Sequence, residues 1–187
     1  MAKIGLNNFK YSKLTEADGV ATYDGAKSLG KAVDCKVSIE NYSAELYADD
    51  VLAESDTTFK KGTVSLTIDE DDDTVFSELL GHEVDTETKE MVRKDTDVAP
   101  YVGVGRILTK VVNGVYKYKV EFLPKVKFTE PAQEETTKGD SIEFKTPTIE
   151  GTVLKLADGT WSRAKTFTNK EDAVAYLNEL MNASMPQ

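Results

Sequence analysis

A β-hairpin is predicted by the stretch "RILTKVVNGVYKYKVE" (Arg106–Glu121), which has Asn113 and Gly114 at its centre. These two residues readily adopt the positive φ angles that a two-residue type I′ turn requires. With this turn, one face carries the pairs Val111 with Tyr116, Thr109 with Tyr118, and Ile107 with Val120. The other face carries Lys110 with Lys117, Leu108 with Lys119, and Arg106 with Glu121. A shift of one residue would mix apolar and charged faces, so the pattern favours this register.

Two further strands are predicted upstream, because apolar and polar residues alternate in each. In "KAVDCKVSIEN" (residues 31–41) one face carries Val33, Cys35, Val37 and Ile39, and "GTVSLTID" (residues 62–69) places Val64, Leu66 and Ile68 inward. Residues 42–61 between them have no clean period and are predicted to form a long loop, with a short helix in "AELYADDVLAE" as the alternative. The loop is expected to pack on another surface through its apolar residues Tyr47, Val51, Leu52 and Phe59.

Near the end of the sequence, Asp158-Gly159 predicts a second hairpin, which would set Leu156 beside Trp161 in the core. A C-terminal helix is predicted at about residues 169–181. Its capping box would consist of Thr168 and Glu171, and an apolar stripe follows the helical period. The stripe consists of Val174, Leu177, Leu180 and Met181. It requires a sheet or another neighbour to cover it.

Five carboxylates follow one another after the second predicted strand: Asp69, Glu70, Asp71, Asp72 and Asp73. An EF-hand calcium loop would need glycine at its sixth position and glutamate at its twelfth, but Thr74 and Leu80 stand there. The pattern instead favours a strand followed by a short helix over residues 74–80, with carboxylates at the positive end of the helix dipole. Metal binding is the less favoured alternative.

Charge is unevenly distributed along the 187 residues, whose formal net charge is −10. Residues 69–97 hold twelve acidic and three basic residues, a balance of −9, whereas residues 106–127 hold six basic residues and one acidic residue, a balance of +5. Such an acidic chain is poorly suited to holding DNA phosphates, because that affinity depends on lysine and arginine. The composition, 40% hydrophobic and 30% charged, is typical of one globular domain.

The sequence predicts no catalytic residue, metal or cofactor, since it lacks the common motifs of hydrolases, metalloproteases and nucleotide-binding enzymes. His82, the only histidine, and Cys35, the only cysteine, are predicted to be structural. The glycines of "GVGRIL" are predicted to permit a bulge or a close backbone approach. The sequence has no apolar run long enough for a membrane anchor, and its start lacks a secretory signal, so synthesis in the cytoplasm is expected.

Four segments together resemble a known family: "AELYADD" (44–50), "GTVSLTID" (62–69), "VFSELLG" (75–81) and "YVGVGRI" (101–107). In their order and spacing they resemble the major tail proteins, or tail tube proteins, of bacteriophages with long non-contractile tails. The resemblance covers most of the chain and implies a mainly β, tail-tube-type sandwich or barrel in a single domain, residues 1–187, with a short flanking helix and a C-terminal helix.

The resemblance also implies a function without catalysis. Six subunits would close into a ring, and rings would stack into a tube through which double-stranded DNA passes without specific binding. The long loop would reach a neighbouring subunit. The implied partners are further copies of the chain, tape-measure proteins and tail-end proteins. The implied location is the virion tail, after assembly in the host cytoplasm.

Candidate interface residues follow from the loop and from the charge distribution. In the loop they are Tyr47, Asp49, Asp50, Val51, Leu52 and Phe59, and in the basic hairpin they are Arg106, Lys110, Lys117 and Lys119. Asp69 to Asp73 are candidates for an acidic subunit surface or for the channel wall. The alternative function is a β-sandwich carbohydrate-binding or adhesin-like module, in which Trp161 and the tyrosines would form the platform.

Overall fold

The computed structural model describes residues 2–48, 51–69, 72–85, 87–132 and 146–186, with side chains except at residues 2, 3, 44–48, 51–55 and 186. As predicted, the described part is mainly β. Its strands are β1 (Ala2–Ala17), β2 (Val20–Tyr23), β3 (Lys27–Gly30), β4 (Ala32–Ala48), β5 (Val51–Ile68), β6 (Glu83–Val84), β7 (Met91–Val92), β8 (Tyr101–Val112), β9 (Val115–Thr129), β10 (Thr148–Leu154), β11 (Arg163–Phe167) and β12 (Ser184–Pro186). Two helices, α1 (Asp73–Leu80) and α2 (Lys170–Leu180), accompany them.

A large antiparallel sheet organises the chain, in the order β12-β2-β1-β8-β9-β10-β5-β4. Strand β11 pairs with β9, β3 pairs with β1, and β6 and β7 form a separate pair. Strand β3 pairs with β1, in the middle of the sheet, whereas β4 lies at the edge of the sheet beside β5. Only Lys31 separates β3 from β4, so the chain passes directly between these two positions. The sheet must therefore curl to join these two positions.

The β8–β9 hairpin has the predicted register. Val112 lies opposite Val115, Lys110 opposite Lys117, and Ile107 opposite Val120. Asn113 and Gly114 have φ angles of 52° and 78°, as the type I′ turn requires.

Two hydrophobic cores share β1, β8 and β9. The first is covered by α1 and includes Phe9, Leu29, Leu66, Ile68, Leu79, Val126, Phe128 and Ile149. The second lies under α2 and includes Tyr23, Ile107, Val120, Phe122, Leu156, Leu177 and Met181. Both helices bury an apolar face against the sheet, as predicted for α2, and thereby exclude water from the sheet surfaces that they cover.

The N-cap of helix α2 is one residue later in the sequence than predicted. The Asn169 side chain, rather than that of Thr168, accepts a hydrogen bond from the Glu171 amide, at 3.0 Å. Asn and Thr are both common N-cap residues, so the sequence permits either assignment. The predicted stripe is otherwise confirmed, since Leu177, Leu180 and Met181 are buried and Val174 is half-buried.

The prediction of a loop over residues 42–61 is wrong. The described residues there continue β4 and β5, which pair from Ala32 opposite Ile68 to Ala48 opposite Val51. Bulges interrupt the register after Glu40 and after Leu46, so the side-chain alternation changes phase along the ladder. The interrupted register explains why the sequence shows no period of two.

The second predicted hairpin is wrong in its pairing, although its turn is present. Leu156 and Thr160 are joined by a backbone hydrogen bond of 2.9 Å, and the Asp158 carboxylate accepts one from the Thr160 amide, at 2.8 Å. The flanking strands β10 and β11 then diverge, and both pair with consecutive parts of β9. Pairing of β10 and β11 with the long strand β9 therefore replaces the predicted pairing of these two strands with each other.

The glycines of "GVGRIL" allow the close approach of neighbouring side chains, and not of a neighbouring backbone as one of the two predictions proposed. A Cβ at Gly103 would lie 2.7 Å from Tyr23 Cε1, and one at Gly105 would lie 2.8 Å from Met181 Cε. The predicted bulge is present, because the β8–β9 register shifts between Val102 and Val104. These glycines let an aromatic ring and helix α2 approach the sheet closely.

Candidate assembly surfaces

The outer part of the β4–β5 hairpin, residues 41–48 and 51–59, is named the β4–β5 arm. Strand β4 is at the edge of the sheet, and β10 pairs with β5 only as far as Gly62 opposite Val153. In the described part of the chain, the arm strands therefore pair only with each other. A two-stranded ribbon has marginal stability by itself in water. Such an arm is suited to packing against another molecule.

The base of the arm is braced by aromatic stacking. The rings of Phe59 and Trp161 are nearly parallel, at an interplanar angle of 3°, with centroids 4.8 Å apart. Phe59, a predicted interface residue, is thus half-buried within its own chain. Trp161 is also half-buried and lies against the arm, so its prediction as a core residue beside Leu156 is wrong.

The remaining predicted residues of the arm are placed only in part. Tyr47 lies opposite Leu52 in the ladder, and Val51 opposite Ala48, while Asp49 and Asp50 are outside the described residues. Tyr42, which the sequence did not single out, is 60% exposed. Its ring lies 5.6 Å from the ammonium group of Lys60.

The edge strand β4 also leaves apolar surface exposed. The predicted alternation is present, but only Cys35 and Val37 are partly buried against the first core. Val33 is 54% exposed and Ile39 is 37% exposed. Long edge strands with exposed apolar side chains favour association with another chain.

Two of the four basic candidates are already paired within the chain. The Arg106 guanidinium binds Glu121 Oε2 through Nη2, at 2.6 Å, and through Nε, at 3.1 Å. Lys119 binds the other oxygen of Glu121. Burial alone would raise the pKa of Glu121, but the hydrogen bonds from Lys119 and Arg106 outweigh it and lower that pKa. Arg106 also contacts the Cys35 thiol, whose pKa is raised by burial.

Lys110 and Lys117 form the predicted like-charge pair across the hairpin. Strand β1 adds Lys3 at the position in register with Lys110. Among the described residues, neither Lys110 nor Lys117 forms an ion pair. Val115, on the same face, is 55% exposed, and Tyr116, on the opposite face, is 57% exposed. Residues 109–118, named the β8–β9 tip, thus combine uncompensated positive charge with exposed apolar surface.

The acidic run has the predicted helix-end role at Asp72 and Asp73, whereas Asp69, at its start, binds Lys31 instead. The Asp69 carboxylate accepts a hydrogen bond from the Lys31 amide, at 2.9 Å, and pairs with the Lys31 ammonium group. The backbone hydrogen bond is the main cause of the lowered pKa of Asp69. Asp72 caps α1 by accepting from the Thr74 amide, at 2.8 Å, and Asp73 lies in the first turn. Glu70 and Asp71 lie outside the described residues.

His82 is held by carboxylates on both sides, in agreement with its prediction as a structural residue. Nδ1 lies 2.8 Å from Asp97 and Nε2 lies 2.9 Å from Glu130, while the side chain is 8% exposed. Glu130 also binds Arg93, and Asp97 accepts from the Lys94 amide. Burial by itself lowers the pKa of His82, but the two hydrogen bonds outweigh it and raise that pKa. These contacts attach residues 82–97 to the end of β9.

We expect the free energy of unfolding to decrease as the pH rises from 6.5 through the raised pKa of His82 in the folded state. Because folding raises the pKa of His82 above its ordinary value of 6.5, its contribution is complete below that value and is lost above the folded pKa. Urea unfolding at several pH values measures this slope. The neutral variant His82→Asn should have a flatter profile, and the same slope in both proteins would contradict the prediction.

A second surface, residues 83–85 and 87–98, is named the β6–β7 surface. Val92 and Val98 are 39% and 70% exposed. On the same surface, Glu87, Glu90 and Asp95 are exposed, and neither their carboxylates nor the exposed Lys89 ammonium group forms an ion pair with another described residue. This surface therefore combines negative charge with exposed apolar side chains.

No group of His, Cys, Asp or Glu suited to a metal ion occurs among the residues that the structure describes. In the same residues, no helix is both long and apolar enough to cross a membrane.

Comparison with family models gives no match for this sequence, and no curated protein matches it significantly.

Sequence reasoning missed the arm and the His82 contacts for different reasons. The bulges in the arm remove the alternation that would reveal its strands. Asp97 and Glu130 lie 15 and 48 positions after His82 in the sequence, so no local motif connects the three residues. The exposure of Val92 and Val98 likewise depends on the surrounding fold.

Proposed function

We propose that the chain is a structural subunit that assembles with copies of itself into the tail tube of a bacteriophage with a long non-contractile tail. Six copies would form a ring with a tail-tube-type β-sandwich or barrel in each subunit, and rings would stack into a conduit for DNA ejection. Tape-measure and tail-end proteins would be its other partners in the virion tail. The proposal rests on the resemblance of the sequence and on the surfaces described above.

The β4–β5 arm is the observation that carries this proposal. In the described part of the chain, the strands of the arm pair only with each other, and a two-stranded ribbon is marginally stable in isolation. Among the described residues, no strand pairs with the outer edge of β4, where the side chains of Val33 and Ile39 are exposed. Docking against a neighbouring copy would satisfy both features. A contact repeated between identical copies closes into a ring when its rotation permits.

The net charge of −10 supports a role as a conduit. A surplus of carboxylates repels the DNA polyanion and reduces adhesion, whereas a basic surface would hold it. The carbohydrate-binding alternative has weaker support, because one face of Trp161 is covered by Phe59 and is closed to a sugar ring.

Removal of the arm tests the proposal directly. Residues 43–57 can be replaced by Asn-Gly, because Tyr42 and Thr58 lie opposite each other in the ladder. Both hydrophobic cores lie outside the deleted segment, so we expect the variant to fold. We expect the intact protein to form rings or filaments at high concentration and the variant to remain monomeric.

Negative-stain electron microscopy and sedimentation velocity measure assembly, and circular dichroism verifies folding. A monomeric intact protein at millimolar concentration would contradict the proposal. Normal tubes from the folded deletion variant would show that the arm is not required.

A further inference from the structure

We propose that the β8–β9 tip of one copy docks on the β6–β7 surface of a second copy. The inference rests on the proposed self-assembly and names the two surfaces that meet in one of its contacts. It depends on three features of a single chain: unpaired lysines at the tip, unpaired carboxylates on the other surface, and exposed apolar residues on both.

In an isolated chain, the β8–β9 tip has unfavourable charge repulsion and exposed apolar surface. Lys110 and Lys117 lie directly opposite each other, and like charges at such positions repel. Val115, on the same face as this pair, and Tyr116, on the opposite face of the tip, each expose more than half of their surface. A partner with carboxylates and apolar side chains would remove the repulsion and cover the apolar surface.

The β6–β7 surface supplies this complement. Glu87, Glu90 and Asp95 are exposed without an ion pair among the described residues, and Val92 and Val98 lie on the same surface. Its geometry is maintained by the contacts from His82 and Arg93 to Glu130. A second copy is therefore a chemically suitable partner, whereas the tip would repel another tip.

The two surfaces adjoin opposite ends of β9, which separates them within one chain. The tip contains the first residue of the strand, Val115, and Glu130 directly follows its last, Thr129. At about 3.3 Å per residue, the 15 residues of β9 span about 50 Å. Surfaces at opposite ends of a molecule meet when identical copies associate head to tail, which is the heterologous arrangement of rings and filaments.

Charge reversal tests the contact. We expect Lys110→Glu with Lys117→Glu to raise the concentration needed for assembly about tenfold or more, because attraction becomes repulsion. Glu90→Lys with Asp95→Lys should have a similar effect. The four changes combined should restore assembly, and an equal mixture of the two double variants should also assemble, since each reversed surface then meets its complement.

A matched control separates this contact from general repulsion. Lys155→Glu with Lys170→Glu also lowers the formal net charge by four, from −10 to −14, at exposed lysines outside both surfaces. We expect this control to assemble close to normally. Sedimentation velocity at low and high salt gives the readout, and assembly of the intact protein should weaken as salt screens the charges.

The outcomes distinguish this inference from the proposed function. If the intact protein assembles and the Lys110→Glu, Lys117→Glu variant assembles equally well, the inference alone is overturned. Failure of both the combined variant and the mixture would also overturn it. If the intact protein never assembles, the proposed function fails, and the inference fails with it.

Discussion

Replacement of Gly81 by alanine is expected to destabilise the protein by about 3 kcal/mol, a large share of the stability of an ordinary domain. Gly81 ends α1 with a φ of 81°, a conformation that costs an alanine about 1–2 kcal/mol. A Cβ there would also meet the backbone of Val98, with the carbonyl carbon 2.9 Å away. Overpacking of this kind adds about 1–3 kcal/mol, because a backbone group cannot rotate aside.

Gly159→Ala is the matched control for this prediction. Gly159 has a similar φ of 85°, but no atom lies within 4 Å of its Cβ position. We therefore expect a loss of only about 1 kcal/mol, which measures the backbone strain alone. Urea unfolding followed by circular dichroism compares both variants with the original protein. Equal losses would contradict the clash with Val98.

Replacement of Arg106 by methionine is expected to cost about 3 kcal/mol at neutral pH. Arg106 and Glu121 are only 13% and 16% exposed, and removal of one partner leaves a buried carboxylate with Lys119 alone. Methionine retains much of the length of the side chain, so the loss reports mainly on the charge. The loss should shrink at acidic pH, because protonated Glu121 no longer needs a cation. This follows from the lowered pKa of Glu121, whose stabilising effect is lost as the pH falls through that pKa.

Lys117→Met provides the comparison, since Lys117 has no ion pair among the described residues. We expect its stability to change by about 0.5 kcal/mol or less. Adding Glu121→Gln to Arg106→Met should recover part of the loss, because the buried charge is then removed. The folded Arg106→Met variant should assemble normally. Impaired assembly without a loss of stability would instead support Arg106 as an interface residue.

Local signals predicted the parts of the fold that depend on near neighbours. Asn113-Gly114 predicted the register of the β8–β9 hairpin, because the turn and the two-residue period act on adjacent strands. The carboxylates before α1 predicted its start, because capping involves residues two or three positions apart. The turn at Asp158-Gly159 was predicted as well, but its strands pair with β9, whose partner residues lie 21–29 positions before those of β10 and 41–49 positions before those of β11.

The candidate site was less predictable, because the availability of a charge depends on distant residues. Arg106, Lys110, Lys117 and Lys119 are equivalent as basic residues of one hairpin. In the fold, Glu121 engages Arg106 and Lys119, whereas Lys110 and Lys117 form no ion pair with another described residue. The loop prediction failed for a different reason, since the bulges in the paired strands interrupt the alternation.

By itself the sequence determined the mainly β character, the β8–β9 register, the start of α1 and the separation of negative from positive segments, because each depends on residue types at short spacing. Only the tertiary structure decided that residues 42–48 and 51–61 continue two strands, that Glu121 neutralises two of the four basic candidates, and that the acidic and basic surfaces lie at opposite ends of β9. These features arise from contacts between residues far apart in the chain, whose burial and ion pairing exist only after the sheet has formed.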